Sequence, residues 1–83
     1  MDEFTITDLE PNEIVVAVGT ETTNGNLTKL KEYKTIRGLE AGIFADRPYI
    51  TVMGEYGKPF SCHASRFIKP EMLEKWKSTY GGT

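Results

Sequence analysis

The chain contains one cysteine and one histidine, and they are adjacent, in the stretch GKPFSCHASRF at residues 57–67. A thiol beside an imidazole is the chemistry of a nucleophile with its base, or of two ligands to a metal ion. The neighbouring residues predict a strand, in which successive side chains point to opposite faces. If Phe60 faces the core, Cys62 faces it too, and Ser61 and His63 face solvent. We therefore expect Cys62 and His63 not to form a catalytic pair.

No other motif predicts catalysis, a metal site or a cofactor. A second cysteine or histidine, which a metal site would need, is absent from the sequence. Gly38 and Gly42 are four residues apart but lack the Gly-Lys-Ser/Thr ending of a phosphate-binding loop. Asp46 and Arg47 precede a proline, a sequence more typical of a turn than of an active site. We expect a protein that is not an enzyme and that carries no metal or cofactor.

Length and composition predict one small soluble domain. The 83 residues are too few for two domains, and 39% hydrophobic with 27% charged residues is typical of a globular protein. No apolar run approaches the ~20 residues of a membrane-spanning helix. The start, MDEFTITDLEPNE, is acidic, whereas a signal peptide begins with basic and then apolar residues. We expect a cytoplasmic protein with no membrane partner.

Charge is unevenly distributed along the chain. Residues 1–28 contain six acidic and no basic residues, whereas residues 29–83 contain all ten basic residues and the other six acidic ones. Such asymmetry occurs at binding surfaces, and it also occurs in small domains that have two solvated sides. The sequence leaves both interpretations open.

Most of the chain after residue 12 is typical of short strands joined by tight turns. Asn24-Gly25 and the stretch EYGK predict turns, because their glycines tolerate positive φ. The stretch SRF predicts one 3₁₀ turn before a last strand, with Phe67 in the core. Strands are predicted where β-branched and aromatic residues cluster, over residues 13–20, 32–37, 49–54 and 59–64.

The two ends differ from this β-rich body. Residues 1–12 predict a lead-in whose apolar side chains, Phe4, Ile6 and Leu9, pack onto the body. Pro70 stands at a helix-start position, and a short amphipathic helix is predicted over residues 71–78. The predicted organisation is a single domain with a lead-in (1–12), a mainly β body (13–69) and a C-terminal helical segment (70–80).

Two stretches carry a resemblance to a known group of proteins. LTKLKEYKTIRG and RPYITVMGEYGKPFSCHASRFIK resemble the small SH3-like β-barrel proteins of bacteriophages and prophages. These often show LTxGKxYxV, YITVxxDxGxxxxY and xxRF patterns. Leu30 stands where the group usually has glycine, and GLEAGIFADRP is an insertion. The matching residues are Leu27, Thr28, Lys31, Tyr33, Tyr49, Ile50, Thr51, Val52, Gly57, Arg66 and Phe67.

The resemblance implies a small SH3-like open barrel of about five strands, here followed by a short C-terminal α-helix. Barrels of this kind bind partners through their loops and edge strands. We therefore expect a non-catalytic protein-binding module, a phage-encoded regulator or inhibitor of a bacterial host protein. Aromatic and arginine side chains are favoured interface anchors. The candidate binding residues, chosen as exposed aromatic or basic positions, are Phe44, Arg47, Tyr56, His63 and Arg66.

Two alternatives remain open. Nucleic-acid binding is favoured by basic residues and an aromatic residue on one predicted strand and its approach, although the sequence pI of about 5.3 is low for such a protein. The residues concerned are Lys29, Lys31, Tyr33, Lys34 and Arg37. A structural or oligomeric role, such as a homodimer joined through edge strands or a phage component, is the other alternative.

Overall fold

In the computed structural model, which describes residues 4–40 and 48–81, the chain forms five short strands followed by a short helical segment. The strands are β1 (Ile14–Ala17), β2 (Glu32–Lys34), β3 (Tyr49–Met53), β4 (Pro59–His63) and β5 (Phe67–Ile68). A 3₁₀ turn, Ala64–Arg66, joins β4 to β5. The mainly β fold with a short C-terminal helix is therefore confirmed.

The strands form two antiparallel sheets that meet at one corner. β1 is the central strand of the first sheet, which has the order β2-β1-β5, and β3 pairs with β4 in the second. Just after β2, Thr35 bridges to Val52 of β3, and the Ile36 N–H donates to the Thr51 carbonyl at 2.9 Å. The chain thus passes from one sheet to the other here. Within the described residues the two sheets do not close into a barrel.

Both faces of β1 are buried, which explains its unbroken run of apolar residues. Val15 and Ala17 face the main core, between the two sheets, together with Tyr33, Ile50 and Phe67. Val16 and Val18 belong to a second cluster on the other face of the first sheet. That cluster contains Phe4 and Ile68 and is covered by Met72, Leu73 and Trp76.

The lead-in packs onto this body as predicted. Phe4, Ile6 and Leu9 are each less than 10% exposed. The Leu39 N–H donates to the Leu9 carbonyl at 3.1 Å, so the lead-in is also tied by its backbone. A Cβ added at Gly38 would lie 2.2 Å from that carbonyl oxygen. Glycine is therefore required at this position by the close approach of two backbone segments.

Two elements differ from the sequence prediction. The second strand was predicted over residues 32–37 but ends at Lys34, because the chain turns there from β1 toward β3. The C-terminal segment is not one α-helix. It consists of a 3₁₀ turn (Pro70–Met72), one α-helical turn that we label α1 (Leu73–Trp76) and a π-helical turn (Lys77–Gly81).

The two ends of this segment are held differently. Pro70 opens it without a side-chain cap at Lys69. At the other end, the Tyr80 ring contacts the rings of Trp76 and Phe4, with centroids 5.6 and 5.7 Å apart.

No helix among the described residues is long and apolar enough to cross a membrane.

Candidate functional site

Among the described residues, one edge of the second sheet has no strand beside it. β4 pairs with β3 on one side, and no strand of residues 4–40 or 48–81 pairs with its other side. At the ends of the β3–β4 ladder, the Gly54 N–H donates to the Lys58 carbonyl at 2.9 Å and the Ala64 N–H to the Pro48 carbonyl at 3.0 Å. These two bonds fix which backbone groups of β4 point toward β3.

Antiparallel strands alternate between hydrogen-bonded and non-hydrogen-bonded residue pairs. With Lys58 and Ala64 bonded to the neighbouring strand, Phe60 and Cys62 are bonded too, opposite Val52 and Ile50. The intervening residues, Ser61 and His63, therefore direct their N–H and C=O groups to the open edge, where the Pro59 carbonyl joins them. An open edge of this kind is a template for an added strand.

A mostly apolar cleft lies at the end of this edge. It has a volume of about 250 Å³ and is lined by Thr5, Pro48, His63, Ala64 and Ser65. The lining contains no carboxylate, and His63 contributes both to the cleft and to the open edge. We call β4 and this cleft together the edge site.

A second cleft continues from the edge site. It has a volume of about 190 Å³ and shares Thr5 and Ser65 with the first cleft. Its walls carry the three aromatic rings Phe4, Trp76 and Tyr80. A bound ligand whose chain extends from the edge site past Ser65 would therefore pass next to these aromatic rings.

Cys62 and His63 do not converge, as strand alternation predicts. Cys62 is half-buried and packs against the main core, whereas His63 is exposed. Burial raises the pKa of the Cys62 thiol to about 11, although the nearby Arg66 charge opposes this shift. The thiol is therefore protonated at neutral pH, which makes it a poor nucleophile. In the described parts of the chain, no three His, Cys, Asp or Glu side chains are grouped as a metal site would need.

Tyr56 is an exposed aromatic candidate. It is 64% exposed at the tip of the β3–β4 hairpin. The hydroxyl donates to the Asn24 carbonyl at 3.1 Å, so the side chain is tied to the Asn24-Gly25 turn. Tyr56 is not among the residues that line the cleft of the edge site. Its role as a binding residue stays a prediction.

Arg66 was expected to be exposed but is only partly so, and its role as a binding residue stays a prediction. Its side chain is 26% exposed, and its guanidinium donates to the Gly19 carbonyl at 2.9 Å and the Glu21 carbonyl at 2.6 Å. A further bond runs to the Thr22 hydroxyl at 3.0 Å. Arg66 therefore fastens the loop after β1. The other two protein-binding candidates, Phe44 and Arg47, lie outside the described residues.

The residues of the nucleic-acid alternative do not form one patch. Tyr33 is only 6% exposed, so its ring offers no surface for stacking a base, contrary to the prediction. Lys29 lies over the Trp76 ring, with Nζ 5.8 Å from its centroid. Lys34 is exposed on β2. Arg37 pairs with Glu40 at 3.6 Å.

Lys31 and Tyr33 share a carboxylate that sequence reasoning did not connect with them. Lys31 Nζ lies 2.8 Å from Glu55, and the Tyr33 hydroxyl donates to the same carboxylate. The Thr28 N–H in turn donates to the Tyr33 hydroxyl at 2.6 Å. The bonds from Lys31 and Tyr33 lower the pKa of Glu55 to about 2. This network joins β2 to the hairpin tip and is structural.

The sequence prediction found His63 but missed the other parts of the edge site. Ser61 carries no side-chain signal, because its contribution is its backbone. Proline within a sheet is found on edge strands, at the first residue of a strand or at bulges, so Pro59 at the first position of β4 permits an edge without indicating one. Thr5, Pro48 and Ser65 come together only through the fold.

Comparison of the chain with protein-family models, with curated proteins and with solved structures found no match.

Proposed function

We propose that this protein is a non-catalytic protein-binding module that recognises an extended segment of its partner at the edge site. The observation that carries the proposal is the open edge of β4, where Ser61 and His63 direct backbone groups outward beside an apolar cleft. Added strands gain affinity from main-chain hydrogen bonds and specificity from side-chain pockets. The edge site offers both.

The arrangement of strands supports an SH3-like interpretation of the fold. β5 pairs with β1, β1 with β2, and the end of β2 leads to β3 and β4, with a 3₁₀ turn between β4 and β5. This order agrees with the motif resemblance to small SH3-like proteins of bacteriophages and prophages. On that resemblance the partner is a bacterial protein in the cytoplasm of the host, which this chain regulates or inhibits.

The nucleic-acid alternative has weaker support. The basic residues on which it depends are spread among different neighbours, and its aromatic residue, Tyr33, is buried. The oligomeric alternative uses the same open edge of β4 with a second copy as the added strand. Size measurement over a range of concentrations distinguishes a homodimer from a module that binds another protein.

The test is an affinity pull-down from bacterial lysate with the tagged protein, with and without nuclease and at two salt concentrations. We expect one stoichiometric protein to be retained under all conditions. Retention that disappears with nuclease or high salt would contradict the proposal, because binding to nucleic acid weakens steeply as salt is added.

The variant His63→Pro tests whether the retained protein binds at the edge site. His63 has a φ of −58°, which is close to the angle that proline imposes, and its N–H points to the open edge. His63→Pro should therefore keep the fold and remove one edge donor, and a thermal melt checks the fold. His63→Ala is the matched control, because it removes the imidazole and keeps the N–H. We expect His63→Pro to retain less of the partner protein than wild type does, and His63→Ala to retain more of it than His63→Pro.

A further inference from the structure

The sequence stretch that contains β4 has basic residues and no acidic ones. Residues 56–70 contain Lys58, Arg66 and Lys69 but no aspartate or glutamate. Arg66 lies 3.8 Å from Glu21, and Lys69 lies 2.9 Å from Asp8, so both have acidic neighbours.

Lys58 is different. It is exposed just before β4 and makes no ion pair with any residue that the structure describes. One end of the open edge thus carries a cation that is not ion-paired within the described residues.

The opposite end of the edge is apolar. The cleft beside Ala64 and His63 is open to a side chain and has no carboxylate in its lining. Six residue steps separate Lys58 from Ala64, which corresponds to about 20 Å of extended chain. A ligand strand that contacts both ends must therefore place its apolar and charged side chains about six residues apart.

Building on the proposed function, we propose that the ligand is an acidic extended segment of another protein that pairs antiparallel with β4. An aliphatic side chain of this segment fills the cleft at Ala64, and an aspartate or glutamate about six residues later in the segment faces Lys58. Antiparallel pairing is the more stable arrangement per residue and is the one used throughout this fold. The acidic residue follows the aliphatic one because an antiparallel strand runs from the cleft toward Lys58.

A second copy of this chain fits the edge less well than an acidic segment does. Two β4 strands paired about a two-fold axis at Ser61 would place Lys58 of each copy opposite Ala64 of the other. Residues 56–70 of neither copy contain an acidic residue to pair with Lys58. Lysine on a strand edge also disfavours self-pairing in general.

The experiment is selection from a displayed library of random twelve-residue peptides, carried out in parallel on wild type and on Lys58→Glu. We expect wild type to enrich peptides in which an aliphatic residue is followed about six positions later by Asp or Glu. Lys58→Glu should replace that acidic preference with Lys or Arg. Lys77→Glu is the matched control, because it makes the same charge change on the exposed C-terminal segment and should leave the preference unchanged.

Affinities of the selected peptides give the second readout. His63→Pro should weaken binding about three- to tenfold, the value of one hydrogen bond. Lys58→Ala should weaken it about two- to fivefold, as for an exposed ion pair. No enrichment, an acidic preference that persists in Lys58→Glu, or equal binding by His63→Pro would overturn the inference. If the pull-down still retained a bacterial protein and His63→Pro reduced its retention, the proposed function would stand and only the ligand class would be wrong; equal retention by His63→Pro would contradict both.

Discussion

The hydroxyl of Tyr33 offers a sharp test of how the hairpin tip is held. It accepts a hydrogen bond from the Thr28 N–H and donates one to Glu55, while the ring lies in the main core. Tyr33→Phe keeps the ring and removes both bonds. The ring still fills its place in the core, so the substitution changes the polar network without leaving a cavity where the ring packs.

The expected cost follows from the burial of this hydroxyl. Tyr33 is 6% exposed, and removing one partner of a buried hydrogen bond typically costs about 1–2 kcal/mol. In a domain of this size each kcal/mol lowers the melting temperature by about 4–8 °C. Tyr56→Phe is the matched control: it removes the same atom from a side chain that is 64% exposed, and we expect it to cost less than about 0.5 kcal/mol.

Acid pH provides an independent readout. The pKa of Glu55 is lowered from 4.5 to about 2 in the folded protein, mainly by its bonds to Lys31 and Tyr33. A lowered carboxylate pKa stabilises the fold above the unfolded pKa, and that contribution is lost as pH falls through the folded pKa. This part of the stability is therefore present above about pH 4.5 and disappears toward pH 2. In Tyr33→Phe the pKa of Glu55 should rise, and the dependence on pH should shrink.

Urea denaturation at neutral pH and between pH 5 and 2, with an NMR titration of the Glu55 carboxyl, measures both effects. If Tyr33→Phe costs no more than Tyr56→Phe, the hydroxyl is not the stabilising element. An unchanged Glu55 titration would show that Tyr33 does not contribute to the shift in its pKa. Either result would refute the reasoning.

Three further predictions concern other positions. Leu30 has a φ of 66° and is 40% exposed. Leu30→Gly should raise the free energy of unfolding, measured in urea, by about 0.5–1 kcal/mol, because glycine adopts this left-handed conformation without strain. A loss of stability would contradict this. Arg66→Ala should cost about 1–3 kcal/mol and speed amide exchange in residues 19–22, and unchanged exchange there would mean that Arg66 does not hold this loop. Cys62 should react with iodoacetamide at about pH 8 roughly a hundredfold more slowly in the folded than in the unfolded protein. The reason is that burial raises the pKa of its thiol from 9.0 to about 11. Equal rates would contradict the burial of this thiol.

Local patterns were sufficient for several parts of this protein. Strand alternation placed Cys62 toward the core and His63 toward solvent, because successive side chains of a strand must point to opposite faces. The apolar spacing of Phe4, Ile6 and Leu9 predicted that the lead-in packs on the body. The positions of β3 and β4 followed from composition and from a tight turn between them. All of these features depend on residues that are near one another in the sequence.

Arg66 and Tyr33 show where local reasoning failed. A basic residue in a turn or an aromatic residue on a short strand is consistent with exposure. Arg66, in the 3₁₀ turn, instead finds its acceptors at residues 19–22, and Tyr33, on β2, finds Glu55 at the tip of the β3–β4 hairpin. The C-terminal segment likewise has helical spacing, yet packing of Tyr80 on Phe4 and Trp76 accompanies a π-helical turn there. Partners far apart in sequence decided each outcome.

The sequence by itself determined the fold class, the two faces of β4 and the separation of the only cysteine from the only histidine. Tertiary structure alone decided that β4 is an edge strand, that Ser61 and His63 direct backbone groups outward, and that Thr5 and Pro48 line a cleft beside them. The physical reason is that side-chain alternation is a property of one strand, whereas an open edge is defined by which other strand fails to pair with it. That depends on the path of the whole chain.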